Sequence, residues 1–278
     1  MAALPKPSSW IDPPIPIQVV KRPQQLEFSG VFRGHELTRK DRRLSSGLAP
    51  LDALIDGGIP RGRISEITGR AGSGKTSIAA SFASFATRRG EVAAWLDASG
   101  TFDPESMAAA GVELRRMLWA STRKGSKNLC SPLQKGEGVR SIVKAAELVL
   151  EAGGFGLVVV DFGEAPRAIT YASSLRIARA AERSGAAVIA IAPWRMCGTF
   201  AALSIAASRV ETSFSRLAPG SPVMFDGLAV DAMVARNKMG GTGRHVRVRA
   251  LIDPVQNPFE VHQQSDRMES QVRISASS

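Results

Sequence analysis

The octapeptide Gly69-Arg70-Ala71-Gly72-Ser73-Gly74-Lys75-Thr76 constrains this chain more than any other feature. It fits G-x-x-x-x-G-K-[ST]. In that pattern glycines let the backbone curl so that successive N–H groups face a polyphosphate, the lysine reaches the β/γ-phosphates, and the final hydroxyl ligates Mg²⁺. The loop works between a strand and a helix, because the helix N-terminus adds partial positive charge to the anion site. Both flanks are present. Residues 63–68 read as a strand, and from Ser77 the stripe Ile78, Ala79, Phe82, Phe85 and Ala86 reads as a helix with one apolar face. A loop that only turned the chain would not need Lys-Thr at the helix start. The expected nucleotide contacts are these eight residues and Ser77, with Lys75 also stabilising charge and Thr76 holding the metal.

Downstream, strands and helices alternate. Residues 92–97 read as a strand ending in an acid, and 103–110 as a helix with Asp103 as N-cap and Pro104 in the first helical position. A short strand follows at 116–120, then a polar loop over 121–138 and an amphipathic helix over 139–152. Residues 157–161 are a continuous apolar strand ending in Asp161; 171–184 read as a helix and 187–192 as another apolar strand. Strands this apolar are covered on both faces, so the expected fold is α/β, with a mostly parallel central sheet and helices on both sides. From Ser208 the pattern changes to β segments at 208–212, 228–235 and 245–251, read as antiparallel hairpins at one sheet edge. The expected domains are an N-terminal arm over 1–43, Pro-rich then basic, a core over 44–252, and a polar tail over 253–278. The basic run of the arm (Arg33, Arg39, Lys40, Arg42, Arg43) reads either as a solvated linker or as a docking arm.

Asp161 is expected to hold the metal. It ends a buried strand at the carboxyl edge, where α/β sheets bind ligands. A carboxylate there can hold a water on the Mg²⁺ that Thr76 also holds. The competing reading is an aspartate that caps the next turn.

The formal net charge of +11 favours anionic partners, nucleic acid first. Cys130 and Cys197 form no C-x-x-C, and His35, His245 and His262 have no metal spacing. No apolar run approaches the ~18 residues needed to span a bilayer. Prolines interrupt the start of the chain where a signal peptide would be apolar, so a cytoplasmic protein with no membrane partner is expected.

The segment Ser46-Gly47-Leu48-Ala49-Pro50-Leu51-Asp52-Ala53-Leu54, followed by Gly57-Gly58-Ile59-Pro60-Arg61-Gly62-Arg63-Ile64-Ser65-Glu66-Ile67-Thr68-Gly69, resembles the entry to a RecA-type recombinase core. Trp95 to Pro104, Ala110-Gly111-Val112-Glu113-Leu114 and Val234-Ala235-Arg236-Asn237-Lys238 resemble later segments of that family, so the likeness spans roughly 44–252. The resemblance implies a RecA-like P-loop fold, ATP and Mg²⁺ as ligands, single-stranded DNA as partner and head-to-tail assembly of identical subunits. It implies that Asp103 contacts the adenine, and that Arg236 and Lys238 reach the γ-phosphate of a neighbouring subunit. These two cations read equally as a solvated hairpin end.

The chain also departs from the family. Where the family has a glutamate that polarises water, it has Ser99; where an aromatic stacks on the base, Ser106; where an Asn-Gln pair senses the γ-phosphate, Ala192 and Pro193. Hydrolysis is therefore expected to be slow, with Glu66 as the next candidate base. The loops after Asp161 and Pro193 look shortened, and this form resembles the ImuA-type accessory proteins of translesion DNA synthesis. Candidate DNA contacts are Trp194 and Arg195 in the short loop, Arg244, and a stripe of His245, Arg247 and Arg249 on one strand face. The stripe reads equally as an edge strand protected by charge, and Trp194 as a ring packed over the core edge. Two functions follow. One is an ATP-binding repair or recombination protein on single-stranded DNA with weak ATPase activity. The other is a non-catalytic accessory subunit contacting a translesion polymerase complex. A general P-loop ATPase without a DNA role is the weaker third.

Overall fold

The apolar runs divide residue by residue between two cores. The computed structural model describes residues 43–121, 137–164, 169–215, 223–251 and 259–260, all within the unit Thr38–Ser278. The expected arm up to residue 42, most of the 121–138 loop with Cys130, and most of the tail lie outside them. The chain enters through β1 (Arg43–Leu44), α1 (Ala49–Leu54) and β2 (Ile59–Pro60). Then come β3 (Ile64–Thr68), α2 (Lys75–Arg88), β4 (Val92–Asp97), α3 (Pro104–Ala109), β5 (Met117–Ser121), α4 (Glu137–Ala152), β6 (Phe155–Asp161), α5 (Tyr171–Ser184) and β7 (Ala187–Ala192). The last strands are β8 (Ala201–Ser215), β9 (Met224–Asn237), β10 (His245–Leu251) and β11 (Phe259–Glu260).

Among the described residues, the main sheet has the order β11-β10-β9-β8-β3-β7-β6-β4-β5. From β8 to β5 every neighbouring pair is parallel, and from β8 to β11 every pair is antiparallel. Successive side chains of a strand face opposite ways. Leu157 and Val159 of β6 therefore join one core with Ile78 and Phe82 of α2, while Val158 and Val160 join the other with Ile142 of α4 and Ile177 of α5. β7 divides in the same way, Ile189 and Ile191 to the first core and Val188 and Ala190 to the second. This double coverage is why the sequence shows runs rather than alternation.

The entry segment is built to fold. The Asp52 carboxylate accepts from Ser46 N at 2.7 Å, from Ser46 Oγ at 2.8 Å and from Ser45 Oγ, knotting the loop ahead of α1. Leu48, Leu51 and Leu54 are buried beneath it. Gly58 has φ +126°, and a Cβ there would lie 2.2 Å from Leu44 O, so a larger residue cannot occupy the β1–β2 crossing. Asp103 caps α3 as expected, accepting from Ser106 N at 3.1 Å.

β8 corrects the sequence reading. Residues 201–207, expected to lie outside any strand, form its first half and run parallel to β3 in the buried centre of the sheet. The run is mostly alanine, a poor strand former on its own, and cover on both faces overrides that preference. Its other edge pairs antiparallel with β9 from Leu203 to Ser215, so β8 is where the parallel and antiparallel halves of the sheet meet. In the expected tail, Phe259–Glu260 form a short strand on β10.

Candidate nucleotide-binding site

β3 ends at Thr68, and Gly69 N donates to Ala192 O of β7 at 3.2 Å, anchoring the loop to the sheet. Ser73 N then donates to Arg70 O at 3.1 Å and closes the turn. Gly74 takes φ +85°, where side chains are strained, and a Cβ there would lie 2.2 Å from Val230 Cγ2 of β9. α2 starts at Lys75 with no side-chain cap, so its first-turn amides, which no helical carbonyl can reach, are left for an anion. Ser73 Oγ is buried without a hydrogen-bond partner. Lys75 is buried too, only 4% exposed; its ammonium donates to Arg70 O at 3.3 Å and to the carboxylate of Glu164. An uncapped helix start, an orphaned hydroxyl and a buried cation fit a polyphosphate, for which Gly69 to Ser77 would be the cradle. Thr76 begins the same helix turn, where the hydroxyl of a P-loop meets the metal.

Asp97 and Asp161 stand side by side at the carboxyl ends of β4 and β6. Asp97 is fully buried and spent on its own loop: it accepts from the N–H groups of Ser99 at 2.9 Å, Gly100 at 2.8 Å and Phe102 at 2.8 Å. Among the described residues, the Asp161 carboxylate has one backbone donor, Gly163 N at 2.9 Å. Burial pushes its pKa up to about 6, with Asp97 and Glu164 adding to the rise and the Gly163 N–H and Lys75 opposing it. Asp161 is thus a carboxylate with unspent lone pairs, suited to a cation or its water shell. Among the described residues, no three His, Cys, Asp or Glu side chains gather to hold a metal, so Mg²⁺ would take its remaining ligands from phosphate and water.

The other expected residues are placed as follows. Ser99 Oγ lies 3.1 Å from the Asp97 carboxylate and 2.9 Å from Thr101 Oγ1, and has no basic function of its own. The Asp103 carboxylate caps α3 and also accepts from Ser106 Oγ, which holds its pKa below the usual value. Glu66, the reserve candidate for a base, is ruled out by its partners. It accepts from Met196 N at 2.7 Å, Cys197 N at 2.6 Å and Ser204 Oγ at 3.0 Å, pinning the loop after β7. Beside it, burial and the Glu66 carboxylate push the Cys197 thiol far up, so the thiol is inert. Trp194 is half exposed, and Arg195 lies 3.7 Å from Glu66.

Arg236 Nη1 donates to Gly198 O at 2.9 Å and Lys238 Nζ to Thr199 O, so both brace the β7–β8 connection within their own subunit. Arg244 is tied to Asp56 at 3.1 Å. The β10 stripe is exposed but partly compensated. His245 Nδ1 lies 3.1 Å from Asp231, Arg249 lies 3.8 Å from Glu211, and Arg247 stands opposite Asp231 in the ladder.

Two charged residues join the site that the sequence reading did not single out. Arg209 of β8 brings Nη1 to 3.5 Å from where a Cβ on Gly72 would be, which puts a guanidinium over the loop. The ladder slips between Arg209 and Glu211, and such a bulge re-aims side chains. No local pattern signals this. Glu164, three residues beyond Asp161, could have been suspected from its place after the strand.

The likeness to known proteins follows this architecture. Residues 30–166 match the RecA N-terminal domain. Protein RecA of Streptococcus pyogenes serotype M49 (strain NZ131) is 36% identical over 129 residues, which is 46% of this chain and 30% of that protein. Protein RecA of Streptococcus pneumoniae (strain Hungary19A-6) gives the same values. The chain therefore spans under a third of the length of these relatives. The crystal structure of the RadB recombinase aligns with a TM-score of 0.56 at 18% identity, covering 79% of this chain and 100% of that one, which shows the RecA-like fold. Matched domain, relatives and sheet order agree on a RecA-like fold, and residues 30–166 carry the RecA N-terminal domain of the RecA-type family.

Proposed function

We propose that this chain binds Mg-ATP and serves in DNA repair or recombination, contacting single-stranded DNA in a nucleotide-dependent way with slow hydrolysis. The buried Lys75 at the uncapped start of α2 carries the reading, because a cation so placed has its natural partner in a phosphate. In this reading Gly69 to Ser77 hold the phosphates, Thr76 and, through water, Asp161 hold Mg²⁺, and Mg-ATP supplies the phosphoanhydride to be split. Slow hydrolysis follows from Ser99, since general-base catalysis contributes about 10²–10⁴-fold and a serine bonded to Asp97 supplies none of it. Core boundaries of 44–252 and a cytoplasmic location belong to this proposal; no helix of the described residues is long and apolar enough to cross a membrane. Calorimetry on Lys75→Ala tests it: Mg-ATP binding should be lost, and unchanged affinity would remove the site.

A second reading is favoured by specific bonds. Arg236 and Lys238, which the recombinase reading sends to a neighbouring subunit, are held on Gly198 O and Thr199 O, and the β10 cations face Asp231 and Glu211. These features support an ImuA-type accessory subunit, in which ATP is structural and the output is a contact with a translesion polymerase complex. Fluorescence anisotropy on a labelled single strand at low salt separates the two. A chain that binds no DNA with or without ATP is the accessory subunit. Light scattering with and without ATP reports head-to-tail assembly.

A further inference from the structure

Glu164 holds the ammonium that the nucleotide needs. The chain leaves β6 at Asp161, turns at Gly163, whose φ is +75° and where a Cβ would lie 3.1 Å from Ser99 Cβ, and delivers the next side chain to Lys75. The two partners are unequal. The Lys75 side chain is 5% exposed and that of Glu164 52%. A carboxylate kept only to neutralise a buried ammonium would be buried with it; this one meets solvent and is free to swing away. The Lys75 ammonium is also the group that reaches β- and γ-phosphates in a P-loop. A phosphate oxygen and the Glu164 carboxylate would be two anions on one cation, with the carboxylates of Asp161 and Asp97 close behind. Like charges at such range repel strongly, so the arriving phosphate must displace Glu164.

We propose that Glu164 sets the affinity of the nucleotide site, as a built-in carboxylate competitor for Lys75 that a β- or γ-phosphate must displace. The proposal rests on the reading of Gly69 to Thr76 as the nucleotide site. When Glu164 leaves, Lys75 keeps its bond to Arg70 O and turns its other donors to the phosphate. The device makes the site selective. Anions too weak to outcompete a carboxylate on Lys75 are kept out, and a nucleoside polyphosphate, anchored also by the loop amides, is not.

The sign of the effect distinguishes a competitor from a supporting residue. Calorimetric titration with Mg-ATP at fixed ionic strength compares the full-length wild type with Glu164→Gln, Glu164→Ala, Lys75→Ala and, as a charge control, Glu151→Gln at the far end of α4. Both Glu164 variants should bind Mg-ATP about tenfold more tightly than wild type, and Glu151→Gln should match wild type. Weaker or equal binding by Glu164→Gln overturns the proposal, since Glu164 then orders the loop or plays no part. Equal tightening by Glu151→Gln also overturns it, by reducing the effect to net charge. If wild type binds ATP, Lys75→Ala does not, and Glu164→Gln equals wild type, the nucleotide site stands and only the competitor falls. A folded wild type that binds no ATP removes both.

Discussion

The carboxyl of Asp161 lies among Asp97, Glu164 and Lys75, and burial raises its pKa from 3.8 to about 6. In the unfolded chain this group loses its proton near pH 4, whereas in the fold it holds it until about pH 6. Folding is therefore favoured fully below pH 4, and that advantage disappears as pH rises through 6; by pH 7.5 the buried charge costs at most about 3 kcal/mol. Asp161→Asn should raise the melting temperature at pH 7.5 and leave it unchanged at pH 4, as followed by calorimetry without nucleotide. Equal melting of the two proteins at both pH values would mean that the carboxyl is not buried. Arg209 gives the opposite test. It is exposed and lies over Gly72, so Arg209→Ala should leave melting unchanged and weaken Mg-ATP binding roughly tenfold, the worth of one charge-assisted bond to phosphate. Unchanged affinity would take the guanidinium out of the site.

At the scale of elements, the sheet has one end that carries the candidate nucleotide site and one that is structural. The carboxyl ends of β3, β4 and β6 carry the loop, Asp97 and Asp161. The opposite end is fastened by Arg61, whose Nη1 and Nη2 donate to the Glu91 carboxylate at 2.9 and 2.7 Å, Nη1 also donating to Gly156 O at 3.2 Å. Three connections are joined there: the turn before β3, the one before β4 and the start of β6. Bidentate pairs of this kind, about a quarter exposed, contribute roughly 1–3 kcal/mol. Arg61→Ala should lower stability in urea by that amount with Mg-ATP affinity intact, because the pair lies a strand length from the loop. A loss of affinity matching the loss of stability would show that the two ends are coupled.

For the whole molecule the net charge of +11 matters most, and among the described residues few of the candidate DNA contacts are free of an acidic partner. Of the candidate contacts, Arg195, Arg244, His245 and Arg249 each have an acidic partner. DNA binding by the remainder should be salt-dependent and largely indifferent to sequence, with a slope of roughly 0.7 in log K against log salt for each phosphate neutralised on a single strand. Replacing Arg247 should reduce the slope by about 0.7. Anisotropy across a salt series measures it, and an unchanged slope would place the contact face elsewhere.

The sequence by itself determined what depends on near neighbours. The P-loop, the strand and helix on either side of it, Asp103 and Pro104 at the start of α3, and the covered parallel strands are all spelled by spacing within one element. The position of Asp161 at a strand end was legible for the same reason. Tertiary structure decided what depends on pairing across distance. Thr68 meets Ala206 in the ladder although 138 residues separate them, and that register, with the bulge after Arg209, brings a guanidinium over the P-loop. The alanine-rich first half of β8 has no strand signal of its own and becomes a strand because β3 and β9 enclose it. Glu66 reads in the sequence as a reserve candidate base, and folding gives it instead the amides of Met196 and Cys197. A local pattern shows which way a side chain faces, but only packing brings to it the groups that become its partners.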